Sequence, residues 1–169
     1  MANEASIDPA APIQPIRSRG DFHRAVQAAL AHVAQAGCRH LWWCDADYAD
    51  WPLNDAALIQ SLSAWAQSHR RLTVLAAGFD DFARRHPRWV AWRQPWSHIV
   101  QCRVLDEVEP GSCPTLLLAP QVLVLRLSDP LHHRGSLSFD TADTLQATEQ
   151  IDALLQRSVE AFPATTLGL

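Results

Sequence analysis

The chain has 169 residues, and all 14 of its basic side chains are arginine; no lysine occurs at any position. That excludes Schiff-base enzymes, P-loop nucleotide sites and protein-kinase sites, which need an amine on a flexible stem that arginine's rigid, permanently charged fork does not replace. The 18 acidic residues set the formal net charge at −4 and the pI near 6.0, a balance opposed to broad binding of nucleic acid or anionic lipid.

Residues 1–17 are rich in proline and alanine, lack an apolar period, and read as a flexible arm. From Asp21 the pattern turns helical, with Phe22, Val26, Ala29, Leu30 and Val33 on one face and Gly37 as the stop. His40–Cys44 is a short apolar run of β type that ends in Asp45, Asp47 and Asp50. Asn54 or Asp55 then caps a second helix bearing Leu58, Ile59, Leu62 and Trp65. Leu72–Ala77 is a buried strand closed by Gly78, and Asp80 opens a helical stretch in which Pro87 fits only as a restart. His98–Leu105 is a third strand. Leu116–Leu118 and Val122–Leu127 read as a hairpin about Ala119–Gln121, Gly135–Phe139 as a last strand, and Leu145–Val159 as a final amphipathic helix. Strands alternating with helices in the first half imply βαβ units. The expected fold is therefore a single α/β domain over residues 18–169, with a mixed, mostly parallel sheet flanked by helices.

Hydrophobic residues at 48% with 19% charged fit a globular domain of ordinary size. Met1–Pro15 has neither the basic flank nor the apolar centre of a signal peptide. The longest apolar stretch, Thr115–Leu127, is broken by Pro120 and Gln121 and is too short to cross a bilayer. A cytoplasmic location without membrane contact is expected, with Cys38, Cys44, Cys102 and Cys113 as buried thiols.

Two patterns carry candidate chemistry. Asp45 and Asp47 follow an apolar strand, where α/β proteins place ligands, and two carboxylates there suit Mg²⁺ and a phosphatase or hydrolase. The alternative is a solvated loop in which one carboxylate caps the next helix. The second pattern is Arg84 to Arg103, with Arg88 and Arg93 among tryptophans and no acid between. Arginine beside tryptophan suits a phosphate or a nucleic-acid base, although Trp89, Trp92 and Trp96 share one helical face, as core or interface residues do. Metal-ligand spacings of the CxxC and HExxH kinds are missing, as is a serine elbow. No cofactor is expected.

Four segments in order also carry a resemblance: Cys44–Tyr48 with Pro52–Asp55; Phe82–Arg85 leading to Ser97–Arg103; the hairpin Leu116–Arg126 with Gly135–Asp140; and Leu154–Ser158 running to Leu167–Leu169. Together they resemble a degenerate proteobacterial phospholipase D-like domain that is often joined to an N-acetyltransferase, over about residues 18–169. The resemblance implies a phospholipase D-like fold, a homodimer and an acetyltransferase-like protein partner. Active members carry His-x-Lys-x4-Asp on the strand that corresponds to the hairpin, and the motif falls here on Cys113, Thr115 and Pro120. None of the three is the required type, so no catalytic residue is assigned. The expected function is a non-catalytic module that binds a partner protein or a small anion through Arg126, Arg134 and the Arg84–Arg103 cluster. The metal-dependent hydrolase and the weak nucleic-acid binder remain as alternatives.

Overall fold

The computed structural model describes residues 13–106 and 111–164. Helix α1, Arg19–Ala36, begins where the Ser18 hydroxyl accepts from Asp21 N at 3.0 Å, and Asp21 in the first turn suits the positive end of the helix dipole. It stops at Gly37, whose φ of 74° supplies the left-handed cap. Strand β2, His40–Asp45, leads through a loop to α2, Ala56–Trp65, which Asp55 caps by accepting from Ala57 N and Leu58 N. Strand β3, Arg71–Ala76, is followed by α3, Phe82–Arg85, and α4, Pro87–Arg93. The break at His86 follows from Pro87, which has no N–H to continue α3 but is well placed as the first residue of α4.

After β4, Val100–Leu105, come β5, Thr115–Ala119, β6, Leu123–Asp129, and β7, Arg134–Ser138. Helix α5, Thr141–Leu155, is capped by Asp140 and precedes β8, Ser158–Glu160. Strand β1, Ile13–Ile16, lies in the segment read as an arm and pairs antiparallel with β7. Residues 1–12 of that arm lie outside the described residues.

The strands form one eight-stranded sheet in the order β1-β7-β6-β5-β2-β3-β4-β8. The α/β class holds, but the sheet is mostly antiparallel rather than mostly parallel. Only β2–β3 and β3–β4 run parallel among the described residues, each joined by a helical crossover. The chain then returns to the other side of β2, where β5 pairs antiparallel with it, and adds β6 and β7 by short turns, which permit antiparallel pairing alone. Alternation of strands and helices was visible in the sequence; the side of β2 on which the next strand would dock was not.

Both crossovers place their helices on one face of the sheet, as right-handed connections in one direction must. There α1, α2, α3 and α4 bury Leu41, Trp43, Val74 and Leu117 against Phe22, Leu62, Phe82 and Trp89. On the other face α5 sets Ala147 and Ile151 against Leu116, Leu118 and Val124. Helix α5 packs over β5 and β6 on that face and leaves His40 and Arg71, at the starts of β2 and β3, exposed.

Candidate functional site

The candidate acids sit where β2 ends beside the start of β5. Asp45 Oδ2 accepts from Tyr48 N at 2.8 Å and Asp47 N at 3.3 Å, while Oδ1 accepts from the Thr115 hydroxyl. Burial pushes the Asp45 carboxyl above its ordinary range, and the Thr115 and backbone donors oppose that shift. The turn forces Tyr48 to a φ of 59°, an unusual conformation for a bulky residue. Three hydrogen bonds fix it there: Tyr48 N to Asp45, Tyr48 OH to Leu75 O at 2.6 Å, and His86 Nε2–H to Tyr48 O at 2.8 Å. The ring of Tyr48 is fully buried, against Trp51 and Phe82.

Asp47 accepts from Ala49 N at 3.0 Å and lies 3.6 Å from Arg85 Nη1. Neither acid caps α2, which Asp55 does; Asn54 Oδ1 instead accepts from Arg88 N at 2.9 Å and so serves the start of α4. The Asp45–Asp47 pair thus organises its own turn. Among the described residues no cluster of three or more His, Cys, Asp or Glu side chains is arranged to hold a metal ion.

The three positions on which the His-x-Lys-x4-Asp motif falls separate chemically. Cys113 Sγ is 3.6 Å from Cys44 Sγ, Thr115 holds Asp45, and Pro120 lies in the β5–β6 turn with Gln121 at a φ of 65°. The hydrogen bond with Cys113, followed by burial, pushes the Cys44 thiol well above its ordinary value.

The arginines of the second pattern do not converge. Arg84 pairs with Asp81 at 3.0 Å, and Arg88 is exposed at the start of α4. Arg93 is buried between Trp89 and Phe162, and its Nη1 donates to Phe162 O. Trp89 and Trp92 are buried, so the tryptophan face is core. Arg126 Nη1 donates to Gln150 Oε1 at 2.7 Å, and Arg134 is exposed at the start of β7; β5 separates Arg126 on β6 from β2.

A different set does converge. His40, Trp42, Arg71, Thr73, Gln101, Arg103 and Leu155 line a shallow hollow of about 470 Å³ on the open part of the sheet. His40 and Trp42 stack with ring centroids 5.3 Å apart and planes 13° from parallel. Arg71 is exposed at the start of β3, and Arg103 donates to Ser158 Oγ at 2.6 Å and Ser158 O at 2.8 Å. The signal in the sequence was the period of two: His40-x-Trp42, Arg71-x-Thr73 and Gln101-x-Arg103 each put polar or aromatic residues on one face of a strand. Reading those strands as buried runs hid it.

No family model and no curated protein sequence matches the chain. Among solved structures it is similar to TrmBL2, an archaeal chromatin protein whose structure shows a novel mode of DNA binding. That match has a TM-score of 0.61 at 11% identity and covers 91% of this chain and 55% of TrmBL2. The chain thus spans about half the length of that neighbour. It is also similar to NucT from Helicobacter pylori, with a TM-score of 0.61 at 7% identity over 88% of this chain and 99% of NucT. At these identities the likeness is one of fold.

Proposed function

We propose that the chain is a non-catalytic, phospholipase D-like module that binds an anionic ligand on the open part of its sheet. The observation that carries this reading is the hollow itself: two arginines, a histidine and a tryptophan line it, and the carboxylate beside it, Glu160 on β8, accepts from Gln101 Nε2 at 3.0 Å. Arginine there can form a forked contact to a phosphate or carboxylate, and the His40–Trp42 stack offers a flat surface to an aromatic ring. A nucleotide unit, with base against the rings and phosphate against the arginines, meets both features. The DNA binding of TrmBL2, a protein of similar fold, is in keeping with that choice. The strand-end site supports the non-catalytic half of the reading, because Asp45 is occupied by three donors and Cys113 and Thr115 stand where the resemblance calls for histidine and lysine.

The test is fluorescence anisotropy with a labelled single-stranded oligonucleotide at low salt. Binding that falls at least tenfold in Arg71→Ala with Trp42→Ala, and is unchanged in Arg88→Ala, supports the hollow. Equal binding by both variants would overturn it. Metal-stimulated hydrolysis of a phosphodiester that is lost in Asp45→Asn would overturn the non-catalytic reading separately.

A further inference from the structure

We propose that Cys44 and Cys113 form a reversible disulfide at the end of β2, made by exchange with a small disulfide such as oxidised glutathione. The geometry is independent of the hollow. Cys44 is held rigidly in β2, with Leu75 of β3 on one side and Leu116 of β5 on the other. Cys113 lies two residues before β5, in an irregular segment, and its sulfur rests 3.6 Å from that of Cys44. A disulfide has its sulfurs about 2 Å apart, so closure needs an approach of roughly 1.5 Å. The approach falls to Cys113, which is less buried than Cys44, lies outside any helix or strand and follows the turn at Gly111. Cys38 and Cys102 are both free thiols. Cys102 lies in β4 within the core of the opposite face, and Cys38 lies before β2, packed against that same core.

Exposure sets the order of events. The Cys113 thiolate attacks one sulfur of oxidised glutathione, forms a mixed disulfide and releases one glutathione thiolate. Cys44 then gives up its proton, its thiolate attacks Cys113 Sγ, and the second glutathione thiolate leaves. Two protein thiols are oxidised, one oxidised glutathione is reduced to two glutathione molecules, and the two protons lost by the cysteines protonate them. The Cys44 thiol is held up by its hydrogen bond with Cys113 and then by burial, so the second step, which needs its thiolate, speeds up as pH rises. The bond ties the start of β5 to β2 beside the Thr115–Asp45 contact. A dithiol reductant reverses it.

The experiment treats the full chain with oxidised glutathione at pH 8, blocks remaining thiols with an alkylating agent after denaturation, and maps the peptides without reduction. The expected result is a Cys44–Cys113 linked peptide, alkylated Cys38 and Cys102, and loss of two of the four thiols, all restored by a dithiol. Cys44→Ser is expected to stop at a glutathione adduct on Cys113, and Cys113→Ser to leave Cys44 unmodified. A link to Cys38 or Cys102, a link between chains, or a wild-type protein that stops at the Cys113 adduct or stays fully reduced would overturn the proposal. The wild-type map decides the matter even if a variant fails to fold.

Discussion

Thr115 and His86 show what single side chains do in the strand-end turn. The Thr115 hydroxyl is one of three donors to the half-buried Asp45 carboxylate. Thr115→Val keeps the shape and deletes the donor, and should cost about 1–3 kcal/mol in urea unfolding at pH 7. Burial already holds the Asp45 pKa above its unfolded value, so its ionisation works against the fold as pH rises through the folded pKa. Removing a donor that lowers this pKa enlarges that loss at pH 7. The gap between variant and wild type should therefore shrink as pH falls from 7 into the acid range where Asp45 takes up its proton; a gap that stays constant throughout would contradict this account. His86 titrates in the opposite sense. Its Nε2–H donates to Tyr48 O, its Nδ1 is buried without a partner, and burial lowers its pKa below the ordinary 6.5. Its contribution is present above 6.5 and is lost as pH falls through the folded pKa. His86→Gln keeps a donor toward Tyr48 and cannot charge, so its melting temperature should fall less than the wild type's between pH 7 and pH 5.

At the scale of elements, local signals decide what was legible. Helix α1 showed its apolar period and its glycine stop, α2 its cap at Asn54 or Asp55, of which Asp55 serves, and the β5–β6 hairpin its Pro120 turn. Edge strands β1 and β8 were not legible. Each is only three or four residues long, and each is held by pairing with a neighbour that is distant in sequence. The hollow was missed for a related reason: whether a strand's second face is covered depends on where α5 packs, which no residue of β2, β3 or β4 encodes. Gly135 shows the same limit. It was visible as the start of a strand, yet its need for glycine comes from the opposite strand. A Cβ there would lie 1.9 Å from Arg126 O and 2.7 Å from Leu127 Cα, next to the register shift between Leu127 and Asp129. Backbone cannot retreat as a side-chain tip can. Gly135→Ala is expected to cost about 3 kcal/mol or more and to raise amide exchange in β6 and β7, whereas the neighbouring Ser136→Ala should stay within about 0.5 kcal/mol.

Across the whole molecule, one sheet serves two separate apolar layers. The tryptophan-rich layer lies under α1 to α4, and the smaller one lies under α5. Strands β2, β3 and β5 contribute to both, with Trp43, Val74 and Leu117 facing one layer and Cys44, Leu75 and Leu116 the other. Loss of one layer therefore exposes the back of the strands that floor the other, and the two should unfold together. Ile151→Ala tests this from the smaller side. Ile151 is 1% exposed on α5, and truncation should cost about 2–4 kcal/mol. Trp43, Trp65 and Trp89 are buried in the opposite layer, whereas Trp42 packs against the α5 layer, so the test is run in a Trp42→Phe background, where these buried tryptophans do not report on α5 directly. If the sheet couples the layers, the fluorescence midpoint in urea should drop by as much as the far-ultraviolet circular dichroism midpoint. A fluorescence midpoint that stays at the wild-type value while the dichroism shifts would mean that α5 unfolds alone, and that the sheet does not carry cooperativity from one face to the other.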